Sequence, residues 1–210
     1  NTVQLTLLSL AWSSVVGILL GVWSGRHRSK WQDYTGMTLA VSGISLPSFW
    51  IGFILIIIFS VNLKIFPTTG ADGFSSLVLP AFTLGTSVAA VVARFTRSSL
   101  IEVMKEDYIR TARAKGLREK AVIWKHAFRN SMISVVTVIG LQFGYLLGGS
   151  VVTESVFAFP GLGSLLIESV NYRDYPAIQS LILIFSLHFL IINLLVDVLY
   201  ALLNPEIQLG

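Results

Sequence analysis

His27, His126 and His188 are too scattered to build a metal site or an H-E-x-x-H protease helix. The chain has no cysteine, which removes both a thiolate metal site and a disulfide framework. No G-x-x-x-x-G-K-[ST] occurs, so it cannot cradle nucleotide phosphates itself. A membrane-embedded enzyme would need a nucleophile, a base or metal ligands at convergent spacing, and the pattern offers none. What remains is polar chemistry of another kind. Ser45, Pro47 and Ser48 interrupt one apolar stretch, Gln142 sits near the middle of another, and His188, Asn193 and Asp197 punctuate the last. Between them lies YIRTARAKG (108–116), a basic run of small residues ending on glycine. In a bilayer, isolated polar groups line a pathway or tie helices together. A basic helix between membrane segments enforces topology or docks on a partner.

The elements that position these residues follow from charge spacing. Only 12% of the 210 residues are charged and 54% are hydrophobic, against roughly 25% charged in a soluble domain. Uncharged runs cover residues 1–25, 34–63, 73–93, 130–153 and 175–196. Each is long enough to cross a hydrocarbon core, which takes about 20 apolar residues. The segments do not alternate, which excludes a β-barrel. The reading is all-α and polytopic, one transmembrane domain over 1–210, with helices at about 2–25, 36–62, 77–101, 131–152 and 176–203 and a cytoplasmic region at 102–130.

The 15 Lys and Arg against 11 Asp and Glu are distributed as membrane topology requires, not as a nucleic-acid patch. Arg26, Arg28 and Lys30, and ten cations from Arg94 to Arg129, fall in two alternate loops, whereas Lys64 and Arg173 stand alone in the others. The positive-inside rule then places 26–33, 94–129 and the C-terminus in the cytoplasm. The first helix begins outside, and an odd helix count suggests an upstream segment before residue 1.

Within the spans, Pro47 predicts a kink, either for packing or as a pathway bend covered by Ser42, Ser45 and Ser48. TLGTSVAA (83–90) and the repeated GxxxG at Gly140, Gly144 and Gly148 predict close helix contact. Gln142 offers either an interhelical hydrogen bond or a polar point in the path. His188 reads as a packing residue. Asp197 reads as one half of a structural ion pair with Arg94 or Arg97, at the same depth on the third segment. Residues 154–176 predict a loop and an amphipathic helix capping the outer face, with Asp174 in the N-cap region of the last span.

In the cytoplasmic interval, Glu106 and Asp107 suit a helix start, and Gly116 suits a helix C-cap. Ile109, Ala112 and Gly116 share a small face, poorly buried alone but able to enter a partner's groove. A second helix is expected to lay Leu117, Ala121, Trp124 and Phe128 on the membrane or the bundle.

EDYIRTARAKGL (106–117) followed by KHAFRN (125–130) resembles the cytoplasmic signature of ABC-importer permeases of the dipeptide, oligopeptide, nickel and glutathione family. PGLG (160–163), RDYP (173–176) and VDVLYALLNPEIQ (196–208) are similar to that family too, so the likeness covers almost the whole chain. It implies a type I importer permease core (MetI-like) in the cytoplasmic membrane of a bacterium or archaeon. It further implies that Glu106, Asp107, Tyr108, Ile109, Arg110, Thr111, Ala112, Arg113, Ala114, Lys115 and Gly116 form the coupling helix, set into a cleft of a cytoplasmic ATPase. The implied partners are a second homologous permease, two ABC ATPase subunits, an external substrate-binding protein and the lipid bilayer, with no nucleic acid. No cofactor is expected on this chain; ATP and Mg belong to the ATPases. Small peptides, glutathione, nickel and metal chelates are the substrate classes. An ion-gradient-driven secondary transporter is the alternative, but it would favour paired midplane carboxylates or inverted repeats.

Overall fold

A computed structural model describes residues 1–71 and 73–203, without the side chains of 197 and 199–203. Among the described residues the chain is a helix bundle. Helix α1 (Thr2–Arg26) leads to α2 (Trp31–Ser45) and α3 (Ser48–Leu55), which continues with π-type winding over Ile56–Asn62. Helix α4 (Ser75–Val103) is followed by the short α5 (Asp107–Ala114). Helix α6 (Glu119–Ala121) then runs through a π-wound stretch, Val122–Phe128, into α7 (Arg129–Val156). Helices α8 (Leu162–Tyr172) and α9 (Tyr175–Leu203) complete the described chain. Among the described residues four helices are long and apolar enough to cross a membrane, and α2 with α3 makes a fifth span if the bent pair is one crossing.

The bundle is organised on the α1–α4 seam. Along α1 the buried positions Ser9, Ser13, Gly17 and Gly21 recur every fourth residue and form a flat strip. A Cβ on Gly17 would sit 2.7 Å from both the Ala89 carbonyl oxygen and Val92 Cβ, and one on Gly21 would sit 2.6 Å from the Ala93 carbonyl. The two backbones therefore touch, and dispersion between them takes the place of the hydrophobic drive that lipid cannot supply. Gly85 on α4 makes room for the Trp12 indole, which donates to the Ala81 carbonyl at 2.7 Å and stacks on Phe82. Helix α7 packs on α4 with Val135, Leu146 and Phe157 in the central core. Its Gly140 and Gly144 lie against Val196 and Phe189 of α9, so this GxxxG serves helix contact.

Two expectations change. The span over 36–62 is not one kinked helix: it starts at Trp31 and turns by 100° at Leu46–Pro47. Pro47 cannot donate to a preceding carbonyl, and the residue before a proline is pushed to extended geometry; Leu46 accordingly has ψ 134°. The span over 131–152 is part of one unbroken 38-residue helix, Glu119–Val156.

Candidate functional site

Helix α5 lies at the end of the bundle that carries the basic residues. Its start is favoured by Asp107 in the first turn, where a carboxylate meets the positive end of the helix dipole. Its stop is set by Gly116, whose φ of +77° is the left-handed geometry that glycine adopts without strain. Ile109 is fully buried and Ala112 is 6% exposed, packed with Val22, Leu100, Val122 and Ala127. The small face is thus seated inside the chain itself rather than left open for a partner. Burying Ile109 here is worth about 2 kcal/mol and anchors α5 on α1, α4 and the π-wound stretch.

The second apolar stripe also shifts. Leu117 and Trp124 are about two-fifths exposed, while Val122, Ile123 and Ala127 take the buried positions. Winding with i→i+5 bonds over 122–128 moves the register off the 3.6-residue period on which Leu117, Ala121, Trp124 and Phe128 would align.

Turned away from the buried face are Asp107, Arg110, Thr111 and Ala114, all exposed, with Tyr108 and Arg113 on the flanks and Glu106 and Lys115 at the ends. Asp107 pairs with Arg110 at 3.3 Å, an exposed contact of small energetic weight. Arg113 holds Glu119 of α6 through two bonds, of 2.8 and 3.1 Å, and that hydrogen bonding raises the Arg113 pKa above its ordinary value. Tyr108 Oη accepts from Asn130 Nδ2 at 3.0 Å, tying α5 to the start of α7. The short helix is therefore fixed on three sides, with its polar side uncovered among the described residues.

The structure holds an ion pair that the sequence reading did not anticipate. Arg97 of α4 grips Asp33 in the first turn of α2, Nε to Oδ1 at 2.5 Å and Nη2 to Oδ2 at 2.7 Å. Asp33, 3% exposed, also accepts from the Ser24 hydroxyl of α1 and the Ser29 amide. One carboxylate with four donors joins three helices, so Arg97 is already committed to a partner. Arg94 is exposed, and the side chain of Asp197 lies outside the described residues. Of the pathway candidates, Ser45 and Pro47 are exposed at the break and Ser48 and Gln142 are half-buried. Ser45 bonds back to the Val41 carbonyl. His188 sits 2.8 Å from the Ile184 carbonyl of its own helix.

Sequence reasoning missed Asp33, the α1 strip and Glu154. A lone acid just after Arg26, Arg28 and Lys30 signals the first, and small residues at every fourth position signal the second. Glu154, at the end of α7, is fully buried and accepts from the amides of Gly163 and Ser164 at 2.8 and 3.0 Å. Only its position just before PGLG could have marked it.

A bundle of membrane-length helices, one broken at a proline, with a short polar helix locked to the basic end, defines a polytopic membrane protein. The chain belongs to the family of binding-protein-dependent transport system inner membrane components, whose sequence pattern matches residues 17–209. It is 56% identical, over 99% of its length and 68% of theirs, to the glutathione transport system permease protein GsiC of Pectobacterium atrosepticum and of Escherichia coli K12. In fold it is similar to an inward-facing MetNI methionine ABC transporter, with TM-score 0.82 and 18% identity over 97% of this chain and 93% of that one. An amino acid ABC transporter gives TM-score 0.75 at 16% identity over 95% and 89%. The protein is a multi-pass permease component of an ABC importer, and these relatives lend no support to ion-gradient-driven transport.

Proposed function

We propose that α5 is the coupling helix of this permease and that its free face, centred on Ala114, enters a cleft of a cytoplasmic ATPase. The observation that carries this reading is the division of α5 into a face buried in its own chain and a polar face with no cover among the described residues. A helix bound this firmly moves as one body with α7, which then carries a push from the ATPase about 42 Å along its axis at 1.5 Å per residue. The basic end of the bundle is cytoplasmic, by the excess of Lys and Arg in its loops, and the C-terminus lies on that side. The far end, with α8 and the α3–α4 loop, is external and receives a substrate-binding protein. A second, homologous permease completes the path and two ATPases supply the ATP and Mg chemistry. Ser45, Pro47, Ser48 and Gln142 remain the path candidates, since a broken span in a membrane is tolerated where it lines a cavity or is buried in protein.

The substrate class is a small peptide-like solute, with glutathione the first candidate on the strength of 56% identity to glutathione permeases; nickel and metal chelates are the competitors. The test is reconstitution of the chain with its homologous permease, ATPases and binding protein in liposomes. Uptake of glutathione coupled to ATP hydrolysis is the expected result. Uptake driven by an ion gradient without ATP would overturn the reading, and uptake of nickel instead would overturn the substrate.

A further inference from the structure

The far end of the bundle is held by a carboxylate that neither the coupling site nor the path uses. Glu154 closes α7 and has no exposed surface. Its Oε2 receives the amides of Gly163 and Ser164, the first turn of α8, while no donor reaches its Oε1 among the described residues. A Cβ placed on Gly161 would collide with the Glu154 carboxyl, whose atoms are its three nearest neighbours, and one on Gly163 would lie 2.9 Å from Oε2. The PGLG turn is therefore shaped around this one side chain. The Glu154 backbone carbonyl also accepts from Phe159 at 2.8 Å, and Phe157 and Phe159 plug the core beneath the turn.

Two other elements meet there. Thr2 of α1 accepts from the Leu162 amide at 2.8 Å, and Asn1 donates to the Pro160 carbonyl at 2.6 Å. Gly52 of α3 lies so close to Val156 and Phe157 that a Cβ there would stand 3.1 and 3.2 Å away. The arm of the span beyond the Pro47 break thus rests on the corner that Glu154 organises. A buried carboxylate is costly unless its hydrogen bonds are specific, and bonds from backbone amides to a charged acceptor are among the stronger kind.

We propose that Glu154 is a positioning residue for transport: it fixes the 157–163 turn, and through it α8 and the outer arm α3, in the arrangement from which the binding protein triggers ATP turnover. This rests on the permease reading and deepens it. The corner stands about 38 Å along α7 from the start of that helix at the coupling end, at 1.5 Å per residue. Loss of the clamp consequently acts on engagement at the outer face and leaves ATP chemistry intact.

The experiment uses the complete reconstituted complex and measures ATPase rate against concentration of liganded binding protein. Glu154→Ala is expected to raise the half-saturating concentration tenfold or more while the maximal rate stays within twofold. Glu154→Gln, which keeps an acceptor oxygen for the two amides, should stay within threefold on both. Gly161→Ala should behave like Glu154→Ala, and the double variant should be no worse than either, because the three atoms nearest the added methyl all belong to the Glu154 carboxyl. Equal losses in abundance and maximal rate with an unchanged half-saturation point would overturn the proposal and leave Glu154 a folding residue. Additive effects of Glu154→Ala and Gly161→Ala would also overturn it. A wild-type complex whose ATPase ignores the binding protein would defeat the permease reading itself.

Discussion

Placing an aspartate on each side of α5 distinguishes docking from folding. Ala114 is exposed in this chain, so Ala114→Asp alters no packing within it. Its internal cost is the lower helix propensity of aspartate, up to about 0.7 kcal/mol, plus a negative charge at the helix C-terminus, about 0.3–1 kcal/mol. Neither overcomes the burial of Ile109 and the bonds from Tyr108 to Asn130 and Arg113 to Glu119. In a desolvated cleft, an unpaired carboxylate costs about 3 kcal/mol or more, and each 1.4 kcal/mol is tenfold in affinity. The ATPase should bind more than a hundredfold more weakly, while permease abundance in the membrane stays near normal. Ala112→Asp is the opposite case. Its carboxylate would be buried among Leu100, Val122 and Ala127, so about 3–5 kcal/mol falls on the chain's own packing and abundance drops. The assay is ATPase recovered per permease after affinity purification, read beside ATP-driven uptake. Full recovery and uptake with Ala114→Asp at normal abundance would refute the assignment of that face.

Gly17→Leu should lower the thermal midpoint of the purified protein by an amount matching about 1–3 kcal/mol of overpacking, whereas Gly148→Ala, which meets nothing within 4 Å, should hold it or raise it slightly. Asp33→Ala should cost about 3–5 kcal/mol by stranding Arg97; Asp33→Ala with Arg97→Leu should recover part of that, and a strictly additive thermal-stability cycle would argue against the clasp. Cysteines introduced at Thr69 and Asn171 should react with an impermeant thiol reagent on intact cells and one at Thr111 should not, with the reverse pattern inverting the topology.

The number of spans and the course of the chain are legible in uncharged runs, because a bilayer imposes length and composition directly. Side-chain direction is less legible where the backbone leaves the 3.6-residue period. Residues 122–128 place Val122, Ile123 and Ala127 inward through π-type winding, which no residue in the stretch announces. Pro47 marks the place of the break but not its 100°, since the angle depends on how α3 finds Gly52 a seat against α7. The Asp33–Arg97 pair joins residues 64 positions apart. Charge spacing along one helix cannot reveal it.

The α1–α4 seam has a consequence for biosynthesis. Its halves are separated in the chain by α2, α3 and a loop, so α1 enters the bilayer well before its partner exists. Between the end of α1 and the end of α4 the ribosome adds residues 27–103, which at 5–20 residues per second takes about 4–15 s. During that wait the small-residue strip of α1 faces lipid or the insertion machinery. Helix α1 is suited to it: the hydroxyls of Thr6, Ser9 and Ser13 donate to the carbonyls of Thr2, Leu5 and Leu10 on the same helix. The newborn strip needs no second helix to satisfy these donors, yet it stays flat enough for α4 to land on when it arrives.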